Sequence, residues 1–205
     1  MGERVKAVLF DLDGVLVKSE DAWFLAVEEA GRRFRGRAIT REEFAPTFGQ
    51  GTRADIRVFG LDVTPEALDA FYVEEFLRHL PSVWVNPDAR PLLEALSARA
   101  LGRALVTNSV GVVAEALLRR GSLEALMPVR ATSDRVSRAK PAPDLVELAL
   151  KEVGVLAHEA VMVGDSRFDR EAARAAGVRF FGLGLDGDVR LEALHEVLPA
   201  LERPR

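Results

Sequence analysis

A doubly wound α/β fold, with a mostly parallel sheet and one all-helical insertion, is expected from three features of the chain. Short apolar runs without a polar face alternate with amphipathic stretches, the pattern of strands buried on both sides and of the helices that cover them. Each run is bounded by Gly, Asp, Asn or Ser. Between the first run and the next, residues 19–80 show helical periodicity and no strand pattern.

The elements follow in order. Residues 5–10, 104–106, 161–163 and 179–183 read as buried strands, with 129–132 a weaker fifth. Residues 91–99, 112–120, 143–153 and 169–176 read as the intervening helices. Gly121 and Gly177 follow two of these and are expected in the left-handed position after a helix end. Pro143 and Asp144 suit a helix start, where proline fits and a carboxylate meets the positive end of the dipole. In the insertion, 21–34 and 65–80 read as long helices, and 41–46 and 54–59 as short ones. Pro81, Pro87 and Pro91 mark the return path. The division expected is a core of residues 1–14 and 82–205, with 15–81 as a helical unit set into it.

Composition narrows the function. The chain has 205 residues, 48% of them hydrophobic, enough for a buried core. With 32 acidic and 28 basic residues its formal charge is −4, against a nucleic-acid binder that works by bulk electrostatics. There is no cysteine, so disulfides, thiolate metal sites and cysteine nucleophiles are excluded. The three histidines, His79, His158 and His195, are scattered. No apolar run is long enough to span a bilayer, and residues 1–6 lack the pattern of a signal peptide. The expectation is a cytoplasmic protein without membrane or nucleic-acid partners.

In an open α/β sheet, ligands bind beyond the carboxyl ends of the strands. There the chain places Asp11-Leu12-Asp13-Gly14, Thr107-Asn108-Ser109, Lys140-Pro141 and Gly164-Asp165-Ser166, with Asp169 four residues after Asp165. Crowded carboxylates repel unless a cation neutralises them, and oxygen donors suit a hard ion such as magnesium, Mg2+. A lysine and a hydroxyl beside that ion suit a phosphoryl group. Taken singly, each residue has a plainer reading. Asp11 or Asp165 could cap a turn, Thr107 could cap a helix, and Ser166 and Arg167 could merely shape a loop. Lys140 is one of only four lysines.

The segments DLDGVLV, LVTNS, KPAPD and GDSRFD, in that order and each at its expected strand end, resemble the four motifs of the haloacid dehalogenase-like (HAD) hydrolase superfamily. The resemblance covers residues 1–14 and roughly 82–205. Over the insertion it rests on position and helical character. It implies two-step phosphoryl transfer with Asp11 as nucleophile and Asp13 as general acid and then base. It implies that Thr107, Asn108 and neighbouring amides hold the phosphoryl oxygens while Lys140 neutralises charge. Mg2+ would be held by the Asp11 carboxylate, the Asp13 carbonyl and Asp165, with Asp169 as a ligand directly or through water. The helical unit would be a cap that excludes water and selects a small phosphorylated metabolite.

Within that unit, Phe48-Gly49-Gln50-Gly51-Thr52-Arg53 is the candidate substrate-reading loop, with Arg53 facing an anionic or polar leaving group; a solvated turn is the alternative. Trp23 either lines the cleft or packs in the cap. Arg32, Arg33, Arg35 and Arg37 read as a solvated helix end. Where many cap-bearing phosphatases of the superfamily have Asp followed by Ser or Thr, this chain has Lys18-Ser19. A phosphatase for small monoesters is the expected activity, and a sugar phosphomutase of the β-phosphoglucomutase kind is the alternative. A dehalogenase is disfavoured because Asp13 has no leaving alkoxide to protonate there, and a non-catalytic role because both aspartates are present.

Overall fold

The computed structural model describes residues 4–202. In chain order the elements are β1 (Ala7–Phe10), β2 (Val17–Lys18), α1 (Glu20–Arg35), α2 (Arg41–Phe44), α3 (Thr52–Phe59), α4 (Pro65–His79) and β3 (Trp84–Val85). Then come α5 (Ala89–Ala98), β4 (Gly102–Val106), α6 (Gly111–Arg120), β5 (Val129–Ala131), α7 (Asp144–Val153), β6 (Ala160–Gly164), α8 (Arg167–Ala175), β7 (Arg179–Leu183), β8 (Val189–Leu191) and α9 (Val197–Leu201). Six strands form one parallel sheet in the order β5-β4-β1-β6-β7-β8. The chain leaves β1 to build β4 and β5 on one side, then returns to build β6, β7 and β8 on the other. That reversal opens a crevice beyond the carboxyl ends of β1, β4 and β6.

Alternation along the strands explains why the apolar runs have no polar face. Val8, Phe10, Leu105, Val161 and Val163 point into one cluster, which α5, α6 and α9 cover. Ala7, Leu9, Ala104, Val106 and Met162 point into the opposite cluster, under α7 and α8. Successive strand side chains face opposite ways, so covering both faces demands apolar residues at every position. Each fully buried Leu, Val or Phe contributes about 1.5–3 kcal/mol.

The insertion has a cluster of its own, with Ile39, Phe44, Phe59, Leu68 and Tyr72 buried against one another. It joins the sheet through Ala22, Phe76 and Val83, which belong to the cluster beneath α5 and α6. Its two connections to the core pair as a short antiparallel ladder, Val17 opposite Val85 and Lys18 opposite Trp84. The Lys18 ammonium sits 5.0 Å from the Trp84 ring centroid.

Two local expectations need correction, and two elements went unread. Gly121 is right-handed, with φ −88°, and the left-handed residue is its neighbour Ser122, with φ 52°; Gly177, at φ 69°, does take the left-handed position. There the helix ends at Arg120 as expected, but the Gly121 amide still closes on the Leu117 carbonyl at 3.1 Å, so the reversal falls on the next residue. Arg35 is not solvated: its guanidinium bonds both Glu43 carboxylate oxygens at 3.2 and 2.8 Å, and its side chain is 11% exposed. Hydrogen bonds from Arg35 and Arg37, with the Thr40 amide of an N-terminal capping box, hold Glu43 well below the usual carboxylate range. Finally, β8 and α9 had no distinct sequence signal, being only three and five residues long.

Candidate active site

The site begins with how β1 ends. The Asp11 amide donates to the Val163 carbonyl at 2.9 Å, extending the ladder one residue past the strand and locking the Asp11 backbone to β6. Beyond it the chain turns sharply: the amides of Leu16 and Val17 both return to the Leu12 carbonyl, at 2.9 and 3.1 Å. Gly14 has φ +87°, and a Cβ there would overlap the Asp165 carboxylate. Only glycine permits both that conformation and that approach.

Lys140 is the hub. Its ammonium is 2.6 Å from Asp11 Oδ1, 2.6 Å from Asp169 Oδ1 and 2.8 Å from the Val106 carbonyl at the end of β4, so all three of its N–H groups are used. Lys140 is 4% exposed and Asp169 fully buried. Burial alone would depress the lysine, but Asp11 and Asp169 outweigh it and hold the ammonium above its ordinary range. Asp169 is fixed in turn by the first turn of α8, where Ser166 and Asp169 cap one another. The Gly164 backbone lies so close to the Asp169 side chain that a Cβ would collide with it.

Asp13, two residues from Asp11, lives in a different environment. Its Oδ1 accepts from the hydroxyl of Ser19 and from Trp23 Nε1 at 3.1 Å; its Oδ2 accepts from Ser109 Oγ at 3.1 Å. Burial raises its pKa, and these three donors partly oppose the rise. Two of the donors come from the start of the insertion and one from the loop after β4. Thr107 is buried, and its hydroxyl accepts from the Ser109 amide at 3.0 Å.

Carboxylate oxygens of Asp11, Asp165 and Asp169 all lie within 4.8 Å of one another. Burial, and after it the charge of Asp169, raises both Asp11 and Asp165, the latter to about 7. Three carboxylates around one ammonium leave the cluster short of positive charge. All the donors are oxygen, which fits a hard divalent cation such as Mg2+.

The predicted site residues divide. Asp11, Asp13, Thr107, Asn108, Lys140 and Asp165 line a single cleft of about 780 Å³, counting the space open at its mouth, and Asp169 lies just behind it. Asn108 serves as a bridge: its Nδ2 donates to the carbonyls of Gly49 at 2.8 Å and Lys140 at 2.9 Å, pinning the insertion's loop to the core. Arg53 is exposed in the first turn of α3 and is not among the lining residues, whereas Gly49, Gln50, Gly51 and Thr52 are. Trp23 both lines the cleft and packs on Phe76, ring centroids 4.5 Å apart.

Sequence reading missed Asp55, Asp69 and Tyr72, which also line the cleft. Asp55 accepts from Gln50 Nε2 at 2.7 Å and from the Tyr72 hydroxyl at 3.0 Å, and burial lifts it to about 6. Its sequence signal was a carboxylate on the same helical face as buried Phe59, four residues on.

The sheet order and this rim define an α/β class that gathers carboxylates and a lysine at its strand ends, three of the carboxylates close enough together to hold a metal ion. Residues 8–183 match the family model of the haloacid dehalogenase-like hydrolases, and the chain belongs to that family. It is 30% identical over 203 residues to a phosphorylated carbohydrates phosphatase of Thermotoga maritima, covering 92% of this chain and 91% of that one. It is 30% identical over 196 residues to a phosphoglycolate phosphatase of Aliivibrio fischeri, covering 89% and 86%. Among solved structures, a hydrolase from Pseudomonas syringae superposes with a TM-score of 0.85 at 26% identity, covering 96% of this chain and 98% of that one.

Proposed function

We propose that the protein is a Mg2+-dependent phosphatase that hydrolyses a small phosphate monoester through an aspartyl-phosphate. The observation that carries this reading is the contrast between two aspartates on one loop. Asp11 touches a buried ammonium at 2.6 Å, an ion-pair contact that favours its ionised, attacking form against the burial that raises it. Asp13 accepts hydrogen bonds from neutral donors alone, Ser19, Trp23 and Ser109, the setting of a carboxyl that gives and takes a proton.

In the first step an Asp11 oxygen bonds to phosphorus as the bond from phosphorus to the leaving oxygen breaks. Asp13 gives its proton to that oxygen. In the second, water attacks the phosphorus of the aspartyl-phosphate, Asp13 takes the proton, and Asp11 is released as a carboxylate. Lys140 holds Asp11 in place and offsets charge on the phosphoryl oxygens, with Thr107 beside it as a hydroxyl donor. The carboxylates of Asp11 and Asp165 and the Asp13 carbonyl would hold Mg2+, with Asp169 behind them. The ion supplies positive charge to the phosphoryl oxygens and to the crowded carboxylates. The helical insertion, residues 15–81, acts as the cap over this centre, docked through Asn108 and Gly49.

The test is turnover of p-nitrophenyl phosphate. Hydrolysis is expected with Mg2+, lost in excess chelator and restored by adding Mg2+ back. Undiminished activity in chelator would remove the metal from the scheme.

A further inference from the structure

The cleft has a floor from the core and a roof from the insertion, and their charges do not complement a second anion. Lys140 is the only basic side chain among the lining residues, and its three N–H groups are already used. The roof brings two carboxylates, Asp55 and Asp69. Asp55 receives one donor on each oxygen, from Gln50 and from Tyr72. A carboxylate oxygen has two acceptor sites, so each can take one more hydrogen. Asp69 is held by the Thr52 hydroxyl on Oδ1. Around these acceptors stand Trp23, Phe44 and Phe48, which offer flat apolar faces, with Val27 beside them. A mostly apolar pocket with a few fixed polar groups is how small-molecule sites set orientation and specificity.

We infer that Asp55 and Asp69 select, among phosphate monoesters, a leaving group that presents hydroxyl or ammonium hydrogens and carries no second negative charge. This rests on the phosphatase reading above. A carboxylate or second phosphate on the leaving group would face the like charge of Asp55 and Asp69, with no basic side chain of the roof lining the cleft to meet it. A polyhydroxylated ring or an amino sugar would instead donate to the open acceptor sites and lay its apolar face on the aromatic walls. Near pH 7.5 Asp55, at about 6, is predominantly a carboxylate. The exposed Arg53 of the neighbouring turn lies outside the lining.

The experiment compares kcat/KM at pH 7.5 with Mg2+ for glucose 6-phosphate, glucosamine 6-phosphate and 2-phosphoglycolate, with p-nitrophenyl phosphate as a reference. At least one sugar phosphate should exceed phosphoglycolate by tenfold or more, and the better of the two tells hydroxyl from ammonium recognition. Asp55→Asn and Asp69→Asn should each narrow that ratio by about fivefold or more, a readout that loss of folded protein does not move. A wild type that hydrolyses the reference but prefers phosphoglycolate would overturn this inference and leave the phosphatase reading standing. A ratio unmoved in both variants would overturn it too. No turnover of any compound, the reference included, would bring down both.

Discussion

The strand ends and the helical insertion face each other across one cleft, yet they are held by different interactions. The strand ends are fixed by backbone: parallel ladders run to Phe10, Val106 and Gly164, and the side chains of the next residues inherit that rigidity. The insertion is fixed by side chains: aromatic contacts such as Trp23 with Phe76, Phe34 with Phe71 and Phe44 with Phe48 hold its helices together. Ladders tolerate no change of register without turning every side chain over. Aromatic packing tolerates reshaping at modest cost. A chemistry that must stay constant is best placed on the first, and a selectivity that must vary is best placed on the second.

That contrast can be broken by substitutions taken in order of expected effect. Asp11→Asn, at the rigid rim, should reduce turnover of p-nitrophenyl phosphate by about 10⁴-fold or more, with the circular dichroism spectrum unchanged. Near-normal turnover would remove Asp11 as the nucleophile. Phe76→Ala, where the insertion meets the sheet cluster, should cost about 3–5 kcal/mol of stability in urea unfolding. A single transition would show that the two regions unfold together, and a new, separate transition would show that the insertion unfolds alone. Trp23→Phe keeps the ring contact with Phe76 and removes the N–H to Asp13. It should lower kcat by about fivefold, the equivalent of one hydrogen bond of about 1 kcal/mol. An unchanged kcat would confine Trp23 to packing and loosen the link between insertion and rim.

The core was legible in the chain because its chemistry is adjacent to its strands. Asp11 follows β1 directly, Thr107 follows β4 and Asp165 follows β6, so recognising an apolar run also located the residue that it delivers. Lys140 is a partial exception, since it follows a loop rather than a strand, and the lysine-proline motif revealed it. The insertion was legible only as helices. The periodicity gave α1 and α4 to within a residue or two, but it reads an apolar stripe and is silent on a polar residue buried within one. Asp55, paired with Tyr72 seventeen positions away, was therefore invisible. So was the two-residue ladder of β2 and β3, too short for any period to register.

The amino-acid sequence by itself determined the sheet, its helices and the residues offered at the strand ends, because strand periodicity and turn chemistry are local properties of the chain. Tertiary structure alone decided which partners those residues meet. Ser109 reaches Asp13 across 96 positions and Lys140 reaches Asp11 across 129. Such distances along the chain close only when the ladders have formed and burial has made an unpartnered charge too costly to leave.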